Sequence, residues 1–227
     1  MKKISTLIFL FSTLFIHAQQ PLKQSLEMGV SGGVEATTWN STSTISLSLS
    51  HHIGIGQKRM FQFYYGIRSN NIFNPNPMYD ESQPSIELRQ NPSSYVSADN
   101  CYIGLNYHIV GGFSIGLNSD MIGLSFGSKQ DSYYNAYTDS GTMVYANKVQ
   151  TKPYEFNLFM FSNSLGSLNQ EFYVEYLAES KWKIRAGVSR LTTGLTASGG
   201  GLNEERKVQN NLDLFFVNVS YPLWRKE

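Results

Sequence analysis

The sequence predicts an all-β protein, a closed antiparallel up-and-down transmembrane β-barrel of about ten strands, with eight as the alternative. Three observations predict this fold. The N-terminal segment resembles an export signal, apolar and polar residues alternate with a period of two in many later segments, and 14% of residues are aromatic whereas only 15% are charged. We therefore divide the chain into a signal peptide, residues 1–19, and a barrel, residues 20–227.

The first residues predict the compartment. Lys2 and Lys3 precede an apolar run from Ile4 to Ile16, and Ala18 is the small residue expected before a cleavage site. This run is too short to cross a bilayer as a helix. Nothing after Ile16 approaches the roughly 18 consecutive apolar residues of a membrane helix, so the mature chain would have to enter a membrane as strands.

The clearest strand runs from Thr44 to Gly56. Its odd positions are apolar and its even positions are small or polar, and only His51 interrupts the apolar row. The alternation is long enough for the roughly 9 to 11 residues that a tilted strand needs to cross the hydrocarbon layer. This segment therefore predicts a membrane-spanning strand.

The same pattern recurs along the chain, and recurrence gives it weight because one alternating run is weak evidence. A weaker first strand covers Leu26 to Thr38. Later alternating segments lie at 61–68, 102–109, 113–117, 122–126, 154–160, 172–176, 182–188 and 212–223.

The phase of the alternation changes across Asn118 to Asp120, which indicates either a hairpin or a bulge. A hairpin gives ten strands and a bulge gives nine. Closed bacterial barrels mostly have an even number of strands, so we predict ten strands, or eight if the marginal first strand and one short strand do not form.

Polar connections separate these strands. Two are long, residues 70–100 and 128–152, and a shorter one covers 196–211. Barrels of this class have short turns at one end and long loops at the other. With ten strands, residues 128–152 fall at the end of the short turns, which conflicts with this rule.

A soluble lipocalin-like barrel or a sandwich is the competing fold, since its strands also alternate. Its water-facing rows should be rich in Lys and Glu. Here the polar rows are mostly Ser, Gly, Asn, Gln, Tyr and His, and aromatic residues such as Tyr107, Trp182 and Trp224 stand near strand ends. Both features favour an enclosed polar lumen, an apolar exterior and aromatic girdles at the membrane surfaces.

Two segments carry a family resemblance. Gly116 to Gly127 and Gly166 to Tyr173, with the signal ending at Ala18 to Gln20, resemble small uncharacterised outer-membrane β-barrel proteins of Bacteroidota. The resemblance implies a barrel in the cell outer membrane and carries no known activity. One departure concerns the C-terminus, where many such barrels end in an aromatic residue, whereas Arg225 to Glu227 follow Trp224 here.

The assignment of faces predicts which charged groups line the lumen. The candidates are Glu27, Glu35, His52, Arg68, His108, Glu155, Glu175, Lys183 and Arg185. These groups would line a narrow pore, or they would pair with one another and fill the interior. Pairing is favoured because burying charges of one sign costs several kcal/mol per ion and about 8 to 10 strands leave little room.

Other function classes lack a signal in the sequence. A net charge of +1 without a basic stripe argues against nucleic acid, and one Cys with four dispersed His provides no metal-ligand spacing. We expect no cofactor. The partners we expect are outer-membrane lipid and, through the loops, small solutes or extracellular ligands. The sequence leaves the oligomeric state open.

The function predicted from the sequence is a structural, binding or small-solute passage role. A hydrolase acting on lipid or peptide is the alternative, and Ser50, His51 and His52 are its candidate residues. Neighbouring strand residues point to opposite faces, so His51 and His52 cannot serve one site. The carboxylates of Asp80, Asp99 and Asp131 stand in predicted loops, and nothing in the sequence fixes their geometry.

Overall fold

The fold consists of strands throughout the described part of the chain. The computed structural model describes residues 23–35, 42–55, 60–73, 78–80, 83–90, 95–110, 112–137, 143–159, 165–178, 180–199 and 205–226. Residues 1–19, the predicted signal peptide, lie outside these ranges. No helix in the described ranges is long and apolar enough to cross a membrane. The strands are β1 Lys23–Glu35, β2 Ser43–Ile55, β3 Phe61–Phe73, β4 Met78–Asp80, β5 Gln83–Gln90, β6 Tyr95–Val110, β7 Phe113–Phe126, β8 Gln130–Tyr137, β9 Met143–Pro153, β10 Phe156–Leu158, β11 Leu168–Leu177, β12 Lys183–Ser198 and β13 Arg206–Lys226.

Eight of these strands close into an antiparallel barrel. The ring runs β1, β2, β3, β6, β7, β11, β12, β13 and returns to β1, and each neighbouring pair is antiparallel. Closure leaves no free sheet edge in the wall. The predicted closed antiparallel β-barrel is confirmed, with the alternative count of eight strands.

The difference between ten and eight strands has two physical causes. β7 is one strand, because Cys101 pairs with Ile122 and Tyr102 with Asp120, which leaves Met121 as the extra residue of a bulge. The bulge changes the phase of the alternation without a hairpin. The predicted strand at 154–160 is only the short β10, which pairs with β7 and does not span the barrel. The marginal first strand is a full member of the ring as β1.

The two faces of the wall differ in polarity as the sequence predicts. Outward-facing apolar side chains are exposed on every strand of the ring, for example Leu47, Ile67, Leu117 and Phe215 at 53% to 59% exposure. Hydroxyl, amide and charged side chains are buried inside. This arrangement contradicts the soluble lipocalin-like alternative, in which the apolar rows would form the interior.

The short connections between strands lie at one end of the barrel and the longer ones at the other end. The start of β1 and the end of β13 lie together, since Gln24 pairs with Lys226. The connections at this end, which we call the terminal end, are short and cover residues 56–60, 111–112 and 178–182. The opposite end, the loop end, carries residues 36–42, 74–94, 127–167 and 199–205. With eight strands, residues 128–152 therefore lie with the other long connections, and the conflict noted for ten strands disappears.

A second and smaller ring continues the wall at the loop end. β12 and β13 extend beyond their neighbours, β9 pairs with β12, and β4 pairs with β13 where Tyr79 stands opposite Gln209. β5 and β8 connect β4 to β9, so β4, β5, β8, β9, β12 and β13 form a closed circuit. Six strands surround less space than eight, so the barrel narrows at this end.

Candidate functional site: the filled interior

The interior of the barrel holds two groups of charged side chains. β11 shows how the strand period places them, because Glu171, Tyr173 and Glu175 are successive inward residues. We name the group nearer the short turns the terminal-end cluster; it contains Glu27, His52, Glu175, Lys183 and Arg185. The group nearer the long connections is the loop-end cluster; it contains Arg68, Asn70, Asn100, Asp120, Asn169 and Glu171.

Direct ion pairs hold the terminal-end cluster together. Lys183 Nζ lies 2.7 Å from Glu27 Oε1 and 3.9 Å from Glu175 Oε1. Arg185 Nε donates to Glu175 Oε2 at 2.6 Å. His52 Nε2 lies 3.3 Å from Glu27 Oε2. These contacts link β1, β2, β11 and β12 across the interior.

The loop-end cluster is organised around Asp120. Its Oδ1 accepts hydrogen bonds from Arg68 Nε at 3.1 Å and Nη2 at 2.5 Å. Its Oδ2 accepts from Asn70 Nδ2 at 3.2 Å, Asn100 Nδ2 at 2.8 Å and the backbone N–H of Asn169 at 2.9 Å. Arg68 Nη1 also reaches Glu171 Oε1 at 2.6 Å. One carboxylate therefore ties four strands together.

A layer of tyrosines separates the two clusters. The hydroxyls of Tyr64 and Tyr173 lie 2.6 Å apart, and the Arg185 guanidinium stands over both rings, at 5.4 Å and 4.9 Å from their centroids. Each ring lies over a glycine on the next strand. A Cβ at Gly104 would lie 2.1 Å from Tyr64 Cζ, and one at Gly116 would lie 2.5 Å from Tyr173 Cζ. The absent side chains on β6 and β7 thus create the space that the two rings fill.

The buried charges of the two clusters nearly balance. Arg68, Lys183 and Arg185 provide three positive charges, and Glu27, Asp120, Glu171 and Glu175 provide four negative charges, with His52 beside them. An unpaired ion in such a place would cost several kcal/mol, so mutual pairing is what makes a charged interior tolerable.

A group of buried apolar side chains lies at the loop end of the interior. We name it the apolar cap; it contains Ile72, Val96, Val149, Leu191, Leu195, Ala197, Val208, Leu212 and Leu214. Its members come from the ends of β3 and β6 and from β9, β12 and β13, where the smaller ring begins. All are at most 6% exposed. Among the described residues, the interior is therefore polar along the barrel, and buried apolar side chains collect at the loop end beside buried polar ones such as Thr193 and Asn210.

The structure places the predicted lumen residues in four different surroundings. Glu27, His52, Arg68, Glu175, Lys183 and Arg185 lie inside, each at most 6% exposed. Glu35 stands at the loop end and accepts a hydrogen bond from the backbone N–H of Thr42 at 3.2 Å. His108 is half-buried beside the short turns, where its Nδ1 is hydrogen-bonded to Ser114 Oγ. Glu155 lies outside the barrel, 80% exposed and paired with Lys152, because β10 is not a strand of the ring.

Sequence reasoning missed Asp120 and Glu171. The preferred ten-strand count puts Asp120 in a hairpin turn, because the bulge at Met121 hides its inward position in β7. Glu171 could have been found, because it shares the phase of Glu175 on β11.

The geometry does not support the hydrolase alternative. Ser50 Oγ lies 2.9 Å from His52 Nε2, and the nearest oxygen of Glu27 approaches the same nitrogen. A triad needs the nucleophile and the orienting carboxylate on opposite ring nitrogens. His51 faces outward, where its Nδ1 lies 2.9 Å from Tyr65 Oη.

The described carboxylates that the sequence places in predicted loops do not lie beside Ser50 and His52. Asp99 is exposed on the outside of β6, and Asp131 pairs with Lys148 on the surface of the smaller ring at 2.8 Å. The side chain of Asp80 lies outside the described part of the chain. No group of three His, Cys, Asp or Glu side chains arranged for a metal occurs within the described ranges.

Solved structures of other barrels are similar to this chain in outline only. Neisserial surface protein A matches with 11% identity and a TM-score of 0.35, covering 87% of this chain and 96% of that one. Ail, the attachment invasion locus protein of Yersinia pestis, matches with 10% identity and a TM-score of 0.35, covering 89% and 100%. The toluene transporter TodX of Pseudomonas putida matches with 8% identity and a TM-score of 0.25, covering 89% and 90%. The fold assignment rests on the strand pairing of the chain itself.

Searches by sequence give no match. No protein-family model and no curated protein matches this sequence.

Proposed function

We propose that this chain is a non-conducting β-barrel of the bacterial outer membrane, with a structural or binding role carried by its loop end. The terminal end faces the periplasm and the long connections face outward. The observation that carries this proposal is the combination of an apolar outer wall with an ion-paired, filled interior. A soluble protein gains nothing from the first feature, and an open pore is incompatible with the second.

The outer wall supports a membrane location. Leu, Ile, Val and Phe side chains are exposed around the ring, and exposed apolar area of this extent marks a surface that water does not cover. Aromatic pairs flank this belt near the terminal end, with Trp182 and Tyr221 at 5.0 Å and Phe113 and Tyr176 at 4.9 Å between ring centroids. Such girdles mark the level of the lipid headgroups. The predicted signal peptide and the resemblance to outer-membrane barrels of Bacteroidota agree with this location.

The interior supports a closed barrel. Eight strands enclose a space that side chains can fill, and here two charged clusters and a tyrosine layer occupy it. The apolar cap adds a second obstacle, because its side chains are at most 6% exposed and offer no polar atom that could replace the water around an ion. Passage of small solutes, one of the roles predicted from the sequence, would require both obstacles to move.

The loop end supports a binding role. The smaller ring of strands holds this end in a defined shape, so the described residues on its surface are presented by paired backbone. A surface held in place in this way binds a partner with less loss of conformational entropy. Small solutes or extracellular ligands would meet the protein here.

Conductance measurements test the closed state. Purified protein is refolded, its folded state is verified by its altered mobility on unheated gels, and it is then added to planar bilayers. We expect no reproducible current steps above those of protein-free bilayers. Well-defined single-channel steps from the folded wild-type protein would refute the closed-barrel proposal.

A further inference from the structure

A groove of about 420 Å³ lies on the outer face of the wall, where β2, β3 and β6 run side by side. Cys101 on β6 stands between Ile67 on β3 and Ile122 on β7, and its side chain is shorter than theirs, so the surface is lower at this point. Ile67 stands at the edge of the groove and is 59% exposed. A depression and a raised side chain therefore lie next to each other on the same face.

A polar pair interrupts the apolar belt at this groove. His51 on β2 and Tyr65 on β3 stand opposite each other and both line the groove, with His51 Nδ1 2.9 Å from Tyr65 Oη. The outward neighbours of His51 along β2 are Leu49 and Ile53, so the belt continues on both sides of the pair. In a membrane the pair would face hydrocarbon, which offers no hydrogen-bonding partner.

The single hydrogen bond within the pair leaves further hydrogen-bonding capacity. A neutral imidazole has one donor and one acceptor, and a phenol hydroxyl has both functions. If Tyr65 donates to His51, then His51 Nε2–H remains as a donor and Tyr65 Oη as an acceptor. If His51 donates, Tyr65 O–H remains as the donor and His51 Nε2 as the acceptor. In either tautomer the pair therefore still offers one donor and one acceptor.

A second copy of this chain can satisfy both functions. The ester groups of a phospholipid are its polar atoms nearest the hydrocarbon, and they accept hydrogen bonds but donate none. A second copy inserted in the same orientation carries the same pair at the same depth. Across a two-fold axis the donor of each copy faces the acceptor of the other, as a self-complementary contact requires.

We propose that the groove is the contact surface of a homodimer in the membrane, with a second copy of this chain as its occupant. The two-fold axis passes beside Cys101, so that Ile67 of each copy packs against Cys101 of the other. The two pairs of His51 and Tyr65 then complete each other's hydrogen bonds. This inference rests on the proposed function, because only insertion in one membrane places two copies at the same depth.

Sedimentation equilibrium of the folded protein in density-matched detergent micelles tests the association. We expect a monomer–dimer equilibrium for the wild type. Tyr65→Phe keeps the ring and removes one hydroxyl from each copy, so the dimer loses two hydrogen bonds. Each hydrogen bond between membrane-embedded side chains contributes a factor of roughly 3, so Kd should rise about 10-fold. Tyr176→Phe removes an exposed hydroxyl on β11 instead and should leave Kd unchanged.

A second pair of variants tests the shape of the groove. Cys101→Trp places a large side chain in the depression and should raise Kd more than Tyr65→Phe does. Val188→Trp adds the same side chain to the outer face of β12, on the opposite side of the ring, and should leave Kd unchanged.

The thiol of Cys101 reports where the two copies meet. In vesicles, copper phenanthroline accepts two electrons from two thiols, which lose their protons and form one disulfide. A disulfide requires Cα atoms within about 7 Å, so the wild type should give covalent dimers on non-reducing gels. Cys101→Ser combined with Val217→Cys moves the thiol to the outer face of β13 and should give none.

The outcomes distinguish this inference from the proposed function. Failure of the wild type to insert and fold in lipid vesicles would overturn the proposed function itself. A folded monomer at every protein concentration would overturn only the dimer, and a phospholipid retained on that monomer would identify lipid as the occupant. A dimer with the same Kd in Tyr65→Phe and Tyr176→Phe, or one that forms no Cys101 disulfide, would show that the copies meet through another face.

Discussion

Replacing Asp120 with alanine removes the acceptor that holds the loop-end cluster together. Five donor atoms, two of them on Arg68, direct hydrogen bonds at this carboxylate, which is 0% exposed. In Asp120→Ala, Arg68 keeps only Glu171 as a charged partner, and the Asn70 amide and the backbone N–H of Asn169 lose their acceptor, whereas Asn100 Nδ2 keeps Ser167 O at 2.9 Å. Breaking a buried pair from one side costs about 3 to 5 kcal/mol, so we expect a loss of that size in the free energy of unfolding.

The control is an ion pair of the same chemistry on the surface. Arg190 Nε and Asp213 Oδ1 lie 3.4 Å apart, with the side chains 63% and 75% exposed, so Asp213→Ala should cost about 0 to 1 kcal/mol. Both variants are unfolded with urea from phospholipid vesicles and followed by tryptophan fluorescence. Asp120→Asn, which keeps the shape and one acceptor oxygen, should fall between the two. Equal stability of Asp120→Ala and Asp213→Ala would refute the argument that the interior network stabilises the barrel.

Three further predictions follow from the wall and its glycines. Gly104→Ala should cost about 1 to 3 kcal/mol in the same urea assay, because its Cβ would lie 2.1 Å from Tyr64 Cζ. Gly32→Ala, where the nearest neighbour of the added Cβ is 3.8 Å away, should change stability by less than about 1 kcal/mol. Similar values for both variants would contradict the packing of Tyr64 against Gly104. Ile67→Arg, in the middle of the apolar belt, should lower the free energy of unfolding in vesicles by about 2 to 4 kcal/mol. Leu223→Arg, near a strand end, should lower it by about 0 to 1 kcal/mol. A larger loss for Leu223→Arg than for Ile67→Arg would show that the membrane covers a different part of the wall. Cys101, exposed on the outer wall, should react with a charged maleimide much more slowly in vesicles than in urea, because a charged reagent does not enter hydrocarbon. Equally fast labelling in both would show that water covers this face.

The sequence was sufficient to predict which side chains of each wall strand face outward, because a strand has a side-chain period of two and each face therefore has its own polarity. The alternation from Thr44 to Gly56 therefore predicted both β2 and its orientation. The same rule placed Glu27, Arg68 and Arg185 on the inner face before any partner was known.

The sequence left the strand count open between ten and eight, because a local pattern does not report which strands pair. A change of phase at Asn118 to Asp120 looks the same for a hairpin and for a bulge, and only the pairing of β6 with β7 distinguishes them. The segment at 154–160 alternates like a membrane strand, yet it contributes just the short β10.

The period of two in the sequence determined which side of each strand meets lipid, because that property belongs to single strands. The tertiary structure alone decided which inward charges meet, since Arg68 and Asp120 are 52 residues apart in the chain and become partners only when the ring closes. It also decided that the interior is filled, because filling depends on strand number, on the bulge at Met121 and on glycines opposite tyrosines. These are relations between strands, and no single strand encodes them.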